Sequence, residues 1–361
     1  MKRCNKCLLP ANYPRISFDE EGVCNFCTEH KNKSYLGMDS FCSDIKSFLG
    51  KVEDRNKDYD CIVGFSGGRD SSYLLYLLKK HTDFRIIAYT SDNGFISESA
   101  KQNIRNITQK LDVDFVIEKN DYLEKCFSHH FNSWMSKPTA PMIGMLCTGC
   151  RLGIDNGLFN FARKNKIPVI VSGATPFEGN RYKQNILKID PNSSKKSSLI
   201  FGYLSQIKKN PRYMANLSCL GIQIKEFYVH FLGKNNTDNL LFIHPFGSYV
   251  HWNEEEVVST IKNELEWKQD AKSKSTWRSD CDIALLKLYL YKKALGFNDK
   301  DDGLSCLIHD GQITRSEAFE RLRNEGDVPE DVICQVVEDF GFDVEKFKLA
   351  VRKLEKETNQ S

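Results

Sequence analysis

Between residues 60 and 171 the apolar positions fall into short continuous runs separated by stretches of helical period. Cys61-Ile62-Val63-Gly64-Phe65, Arg85-Ile86-Ile87-Ala88-Tyr89, Val113–Ile117 and Pro168-Val169-Ile170-Val171 read as strands buried on both faces. Between them, residues 70–80 place Tyr73, Leu74, Leu77 and Leu78 on one helical face, 97–111 do the same with Ile104, Ile107 and Leu111, and a further helix is predicted around 150–165. Continuous apolar strands alternating with amphipathic helices predict an α/β fold, a doubly wound parallel sheet covered on both sides. Helices are predicted again at 253–267 and 281–295, and three more (Thr314–Glu325, Pro329–Phe340, Val344–Lys356) form a helical C-terminal region. The first 32 residues show little periodicity, and 33–58 are polar with a short helical pattern around Phe41, Ile45 and Phe48. The expected organisation is therefore an N-terminal module (1–32), a connector (33–58), the α/β domain (59–280) and the helical region (281–361). The α/β domain carries a basic insertion at 179–215. There Arg181, Lys183, Lys188, Lys195, Lys196, Lys208, Lys209 and Arg212 meet one acid, Asp190.

Composition narrows the class. The 361 residues are 40% hydrophobic and 27% charged, enough to bury a core. A formal net charge of +3 does not by itself argue for nucleic acid. No run of 18 apolar residues predicts a membrane span, and the start, Met1–Cys7, lacks the apolar stretch of a secretory signal. The expected location is the reducing cytoplasm, where 13 cysteines would bind metal or do chemistry rather than form disulfides.

The most informative stretch is Gly64-Phe65-Ser66-Gly67-Gly68-Arg69-Asp70-Ser71-Ser72, between a predicted strand and a predicted helix. Paired glycines let the backbone turn tightly and approach an anion. The helix start offers free N–H groups and a positive dipole end, and three serines add hydroxyls. Neither the Walker A spacing nor G-x-G-x-x-G is present. The run Ser-Gly-Gly-x-Asp-Ser-Ser resembles the PP-loop of ATP pyrophosphatases (the adenine nucleotide alpha hydrolase-like fold), which grips the pyrophosphate that leaves when ATP forms an adenylate. That resemblance implies ATP and Mg²⁺, with Asp70 capping the helix or holding the metal. It also implies nucleotide contacts at two further strand ends, Thr90 and Asn93 in one and Gly173 in the other.

Two cysteine groups stand out. Cys4-x-x-Cys7 and Cys24-x-x-Cys27 have the spacing of a Cys4 zinc ribbon, a closed structural Zn²⁺ site. Cys147-x-x-Cys150 and the distant Cys281 are similar to the three-cysteine set that holds a 4Fe–4S cluster in some tRNA thiolases of the same class; a second zinc site, a redox pair and plain buried thiols are the alternatives.

Resemblance also extends along the chain. Cys4–Pro10, Tyr13–Asp19, Gly22–Cys27, Phe65–Tyr73, Cys147–Arg151, Trp277–Cys281 and Gly311–Ala318 are similar to the N-acetyl sugar amidotransferase family. This implies ATP-dependent adenylation of the amide oxygen of an N-acetyl sugar on a nucleotide or lipid carrier. Ammonia from a separate glutamine-hydrolysing subunit would then displace AMP to leave an acetamidino group, as in lipopolysaccharide O-antigen sugars. Asp70 and Arg278 are the expected catalytic residues, and Arg278 with the basic insertion would hold an anionic carrier. The alternative is tRNA 2-thiolation by the same activation chemistry, with tRNA as partner.

Overall fold

The computed structural model describes residues 2–178, 181–186, 196–221, 224 and 239–359; residues 148–152, 184, 196–201, 203 and 357–359 are described by their backbone alone. Five parallel strands form one sheet: β1 (Cys61–Gly64), β2 (Ile86–Asp92), β3 (Asp114–Lys119), β4 (Val169–Ser172) and β5 (Leu241–Ile243), in the order β3-β2-β1-β4-β5. The order reverses at β1, and that crevice is where open α/β sheets bind ligands. In register, Gly64 lies beside both Tyr89 and Ser172, so the carboxyl ends of the three central strands open at one level.

Helices cover both faces, as the alternation predicts. Arg69–His81 follows β1, Glu98–Lys110 follows β2, and Met145–Lys164 precedes β4. β1 and β4 are buried along their apolar runs, while the edge strand β3 exposes Phe115 and Ile117. The architecture is thus an α/β doubly wound parallel sheet with an N-terminal Cys4 cluster and a helical C-terminal region.

Three elements differ from expectation. Helix Asp121–Ser136 is not among the predicted elements, although Leu123, Phe127, Phe131 and Trp134 lie on its buried side. Helix Asp299–His309 begins with four charged residues, all buried, which hides its periodicity. β5, three residues long, is not among the predicted strands although it lies in the short apolar run Leu240-Leu241-Phe242-Ile243. Residues 38–49 of the expected connector form a helix whose Phe41, Ile45 and Leu49 enter the main core.

A second core gathers the four N-terminal cysteines, Phe127, Phe131 and Trp134, and the C-terminal helices through Ile283, Leu286, Phe347 and Val351. The N-terminal module is therefore wedged against the C-terminal region. Arg3 pairs with Asp301 at 2.6 Å, Leu8 N–H donates to Ser305 Oγ at 3.2 Å, and Arg315 donates to the carbonyls of Cys4 and Cys7.

Candidate active site and metal centre

The Gly64–Ser72 loop is held in one shape from several directions. Phe65 N–H donates to Tyr89 C=O at 2.9 Å, and Thr90 Oγ1 donates to Phe65 C=O at 2.5 Å. Gly67 adopts φ +72°, and its carbonyl accepts from Trp267 Nε1 at 2.9 Å and Asn103 Nδ2 at 3.2 Å. A side chain at Gly67 would meet the Ala100 carbonyl oxygen at 2.4 Å, so only glycine fits this left-handed position. Gly68 (φ −76°) serves as the N-cap of helix Arg69–His81. The first amides of that helix have no upstream carbonyl in the helix to bond. Ser66 Oγ and Ser71 Oγ stand 3.2 Å apart beside them, and Ser72 Oγ donates to Gly68 C=O at 2.7 Å. Gly173, at the end of β4, lets the two chains close: a Cβ there would be 3.2 Å from the Asp70 carbonyl oxygen. Together these features make a rigid anion cradle at a helix start.

Arg69 does not reach into this cradle. Its side chain is buried, donating to Asp70 Oδ1 at 2.9 Å and Glu254 Oε1 at 2.6 Å, with its guanidinium 4.7 Å from the Trp252 ring centre. Trp252 Nε1 donates to the same Asp70 oxygen at 3.1 Å. Both bonds fall on Oδ1, which leaves Oδ2 as the atom to meet a cation. Burial pushes the Asp70 carboxyl up; Arg69 counters this, and the Glu178 carboxylate adds to the rise.

The expected nucleotide residues Thr90 and Asn93 are placed at the end of β2, both buried. The Thr90 hydroxyl bonds the loop backbone, and Asn93 Oδ1 accepts from Phe95 N–H at 2.9 Å.

Opposite the loop lies a segment carrying Arg278, Asp280 and Cys281. It is pinned by Ser97 Oγ to Ser279 C=O (2.8 Å), Ser97 N–H to Asp280 C=O (3.1 Å) and a bridge between Ile96 and Cys281. This places the Asp280 carboxylate over Gly68, 3.1 Å from where a Cβ would stand. Sequence reading covered Asp280 within Trp277–Cys281 and gave it no role; only the fold brings it to the loop. Arg278 takes a left-handed backbone (φ +57°), and its side chain is 41% exposed with Glu178 Oε2 at 3.5 Å. The neighbouring carboxylates, Glu178 first and then Asp280 and Asp299, hold its guanidinium protonated. Lys183 sits 2.6 Å from Asp299, and burial lowers its ammonium to about 8.

Cys4, Cys7, Cys24 and Cys27 converge as expected. Their sulfurs all lie within 4.8 Å of one another, with Cys4–Cys27 at 3.8 Å, Cys7–Cys24 at 3.6 Å and Cys24–Cys27 at 3.6 Å. Sulfurs about 2.3 Å from a tetrahedral Zn²⁺ would be about 3.8 Å apart. The set fits such an ion. Lys6 and Cys24 amides donate to Cys4 Sγ at 3.3 and 3.2 Å, the usual support for thiolates. His309 Nε2 contacts Cys27 Sγ at 3.1 Å and stacks on His30.

Among the described residues this is the one group of such side chains placed to hold a metal ion. Cys147, on helix Met145–Lys164, and Cys281 both flank the second core, and the Cys150 side chain lies outside the described residues. So do Lys188, Asp190 and Lys195 of the basic insertion; of its other members, Arg181 bonds Asp302 (Nε–Oδ1 2.8 Å) rather than facing solvent alone. No helix is long and apolar enough to cross a membrane among the described residues.

No protein-family model matches the chain. Among curated proteins, an uncharacterized protein of Methanocaldococcus jannaschii is 25% identical over 123 residues, 34% of this chain and 44% of that one. The tRNA-specific 2-thiouridylase MnmA of Chlamydia abortus is 29% identical over 96 residues, 24% of this chain and 26% of that one. The chain thus spans less than half the length of these curated relatives. Among solved structures, NMN synthetase from Francisella tularensis aligns with a TM-score of 0.36 at 12% identity, over 79% of this chain and 91% of that one. The U34-tRNA thiolase NcsA from Methanococcus maripaludis, with its 4Fe–4S cluster, aligns at 0.32 and 16%, over 86% and 87%. The NH3-dependent NAD synthetase from Campylobacter jejuni aligns at 0.29 and 11%, over 63% and 91%.

Proposed function

We propose that this chain is an AMP-forming ATP pyrophosphatase that activates an amide oxygen as an adenylate. One observation carries the reading: a left-handed Gly67 and an open Gly68 at a helix start, flanked by the Ser66 and Ser71 hydroxyls, with two carboxylates (Asp70 and Asp280) at its rim. Amides and hydroxyls of Ser66–Ser72 bind the β- and γ-phosphates. Asp70 Oδ2 and Asp280 are the oxygens suited to a Mg²⁺ ion, which would neutralise the departing pyrophosphate. The acceptor oxygen attacks the α-phosphorus, the bond to the β-phosphate oxygen breaks, and pyrophosphate leaves.

The acceptor in this proposal is the N-acetyl group of a sugar on a nucleotide or lipid carrier. Ammonia, supplied by a glutamine-hydrolysing partner in the cytoplasm, adds to the activated carbon and AMP departs, leaving the amidine and a proton. Arg278, open to the cleft and tied only loosely to Glu178, suits the carrier's phosphate. The Cys4 group holds Zn²⁺ as a structural ion.

Incubating the protein with ATP, Mg²⁺, an ammonium salt and a UDP-N-acetylhexosamine tests this directly. AMP, pyrophosphate and a sugar in which oxygen is replaced by NH are expected; ADP and orthophosphate would overturn the adenylation reading itself. The stretch shared with the thiouridylase supports a second reading, tRNA 2-thiolation through Cys147, Cys150 and Cys281. Salt-dependent retention of tRNA, with a brown iron-bearing protein after anaerobic purification, would select it.

A further inference from the structure

The segment that follows the phosphate-site elements has an inverted polarity. From Leu204 to Ile224 its inward side chains include Gln206, Asn210, Tyr213 and Cys219, all buried. These anchor it to helix Asp121–Ser136: Asn210 Nδ2 donates to Ser133 C=O at 2.8 Å, His129 Nε2 lies 3.1 Å from Tyr213 C=O, and Lys137 Nζ donates to Lys209 C=O at 3.0 Å. Its exposed side chains include four large apolar ones, beside Ser205, Lys208, Lys209, Arg212 and Ser218. Leu204 is 53% exposed, Met214 51%, Leu217 78% and Ile224 61%. A globular surface normally points the other way, polar groups out and large apolar groups in.

The exposed aliphatics are interspersed with cations and no anions. Lys208, Lys209 and Arg212 are exposed, Lys137 joins them through its bond to Lys209, and no Asp or Glu occurs between 204 and 224. Leu204 and Lys208 are one helical turn apart on the same face, so an apolar and a basic side chain point outward together. A Cβ at Gly221, between Leu217 and Ile224, would meet nothing within 4 Å.

We propose that this face docks on an anionic lipid bilayer, its aliphatic side chains entering the headgroup–acyl boundary and its lysines and arginine meeting lipid phosphates. Cations alone would equally suit RNA. Readers of single-stranded RNA, however, stack bases on outward aromatic rings, and here Tyr213 faces inward while the large apolar groups that are exposed are Leu204, Met214, Leu217 and Ile224. The inference is independent of the adenylation chemistry.

Co-sedimentation of the full chain with vesicles, without ATP, tests it. Vesicles of phosphatidylcholine containing phosphatidylglycerol should carry the protein down; pure phosphatidylcholine should not. The double change Lys208→Glu, Lys209→Glu should weaken binding about thirtyfold or more, since each cation near an anionic leaflet contributes about fivefold. Met214→Ser with Leu217→Ser should weaken it about tenfold while leaving the thermal unfolding curve in place, as both side chains already face water. Three outcomes overturn the proposal. The first is absence of binding to anionic vesicles. The second is binding that tRNA abolishes but the Ser pair leaves untouched, which marks a nucleic-acid surface. The third is concentration-dependent dimerisation lost in the Ser pair, which marks a self-interface.

Discussion

Gly67 and Gly68 are adjacent, yet alanine should fail at them for different reasons. At Gly67 the backbone is left-handed, and a Cβ would stand 2.4 Å from the Ala100 carbonyl oxygen and 2.9 Å from Ile104 Cγ1. The left-handed conformation costs about 1–2 kcal/mol for a non-glycine residue. Forcing a backbone carbonyl aside adds about 1–3 kcal/mol. Gly67→Ala should therefore lose about 2–5 kcal/mol of folding stability. At Gly68 the backbone is one that alanine adopts freely (φ −76°, ψ 170°). The new methyl would lie 3.1 Å from Ser66 Oγ and from the Asp280 carboxylate, both side-chain ends that can yield by a few tenths of an ångström. The remaining cost is that of alanine at an N-cap, about 1 kcal/mol. The methyl nevertheless occupies the space in which a phosphate oxygen must sit. Gly68→Ala should thus keep nearly all its stability and lose at least a hundredfold in ATP turnover, about 2.7 kcal/mol of lost phosphate stabilisation. Urea denaturation measures the first quantity and pyrophosphate release the second. A Gly68→Ala protein that turns over ATP at the parental rate would refute the phosphate-cradle argument, whatever Gly67→Ala does.

Arg69→Met should cost about 3–5 kcal/mol by removing the cation paired with Asp70, which keeps Trp252 Nε1, and with Glu254, which keeps Arg321; a loss below about 1 kcal/mol in urea denaturation contradicts the buried pairing. Cys7→Ser should release the metal of the N-terminal group and lower the unfolding temperature of the C-terminal helices that share its core; metal analysis beside calorimetry checks both, and an unchanged metal content is the contrary result. Burial lowers the Lys300 ammonium from 10.5 to about 8. Its unfolded form therefore holds the proton more tightly, and this lysine penalises folding fully below about pH 8 and progressively less towards 10.5. Over that window the parental protein should gain stability relative to Lys300→Met; parallel pH curves would contradict it.

Much of the sheet was legible because β1, β2 and β4 are buried on both faces and so leave unbroken apolar runs. The loop was legible because its constraints are local: a positive φ, an N-cap and hydroxyls all fall within nine residues. What supports the loop was not. Trp252, Trp267 and Glu254 bond it from nearly 200 residues away, in stretches that read as ordinary amphipathic helix and turn. Asp280 likewise gains its place through the bonds of Ser97 to Ser279 and Asp280 and the bridge of Ile96 to Cys281. Arg69 stands beside the glycines but does not face the cradle: a helix residue points where its face points, and this face is turned into the core.

The buried charges of helix Asp299–His309 explain why the ribbon belongs to this protein at all. Acids in the first turn of a helix are favoured by its dipole, yet two fully buried carboxylates still need cations. Arg3 from the cysteine module answers Asp301, and Arg181 from the insertion answers Asp302, while Lys183 answers Asp299. Arg181 also lies 5.4 Å from the ring centre of Phe26, and Tyr13 packs on Tyr182 at 6.0 Å, so insertion and ribbon meet over the same turn. Lys183 and Arg278, the two cations nearest the cleft, both feel Asp299. A metal held by the four cysteines at the far end of this chain of contacts would therefore brace the cleft: it would fix Arg3, Arg3 bonds the acidic turn, and the turn pairs with Lys183 beside the cleft.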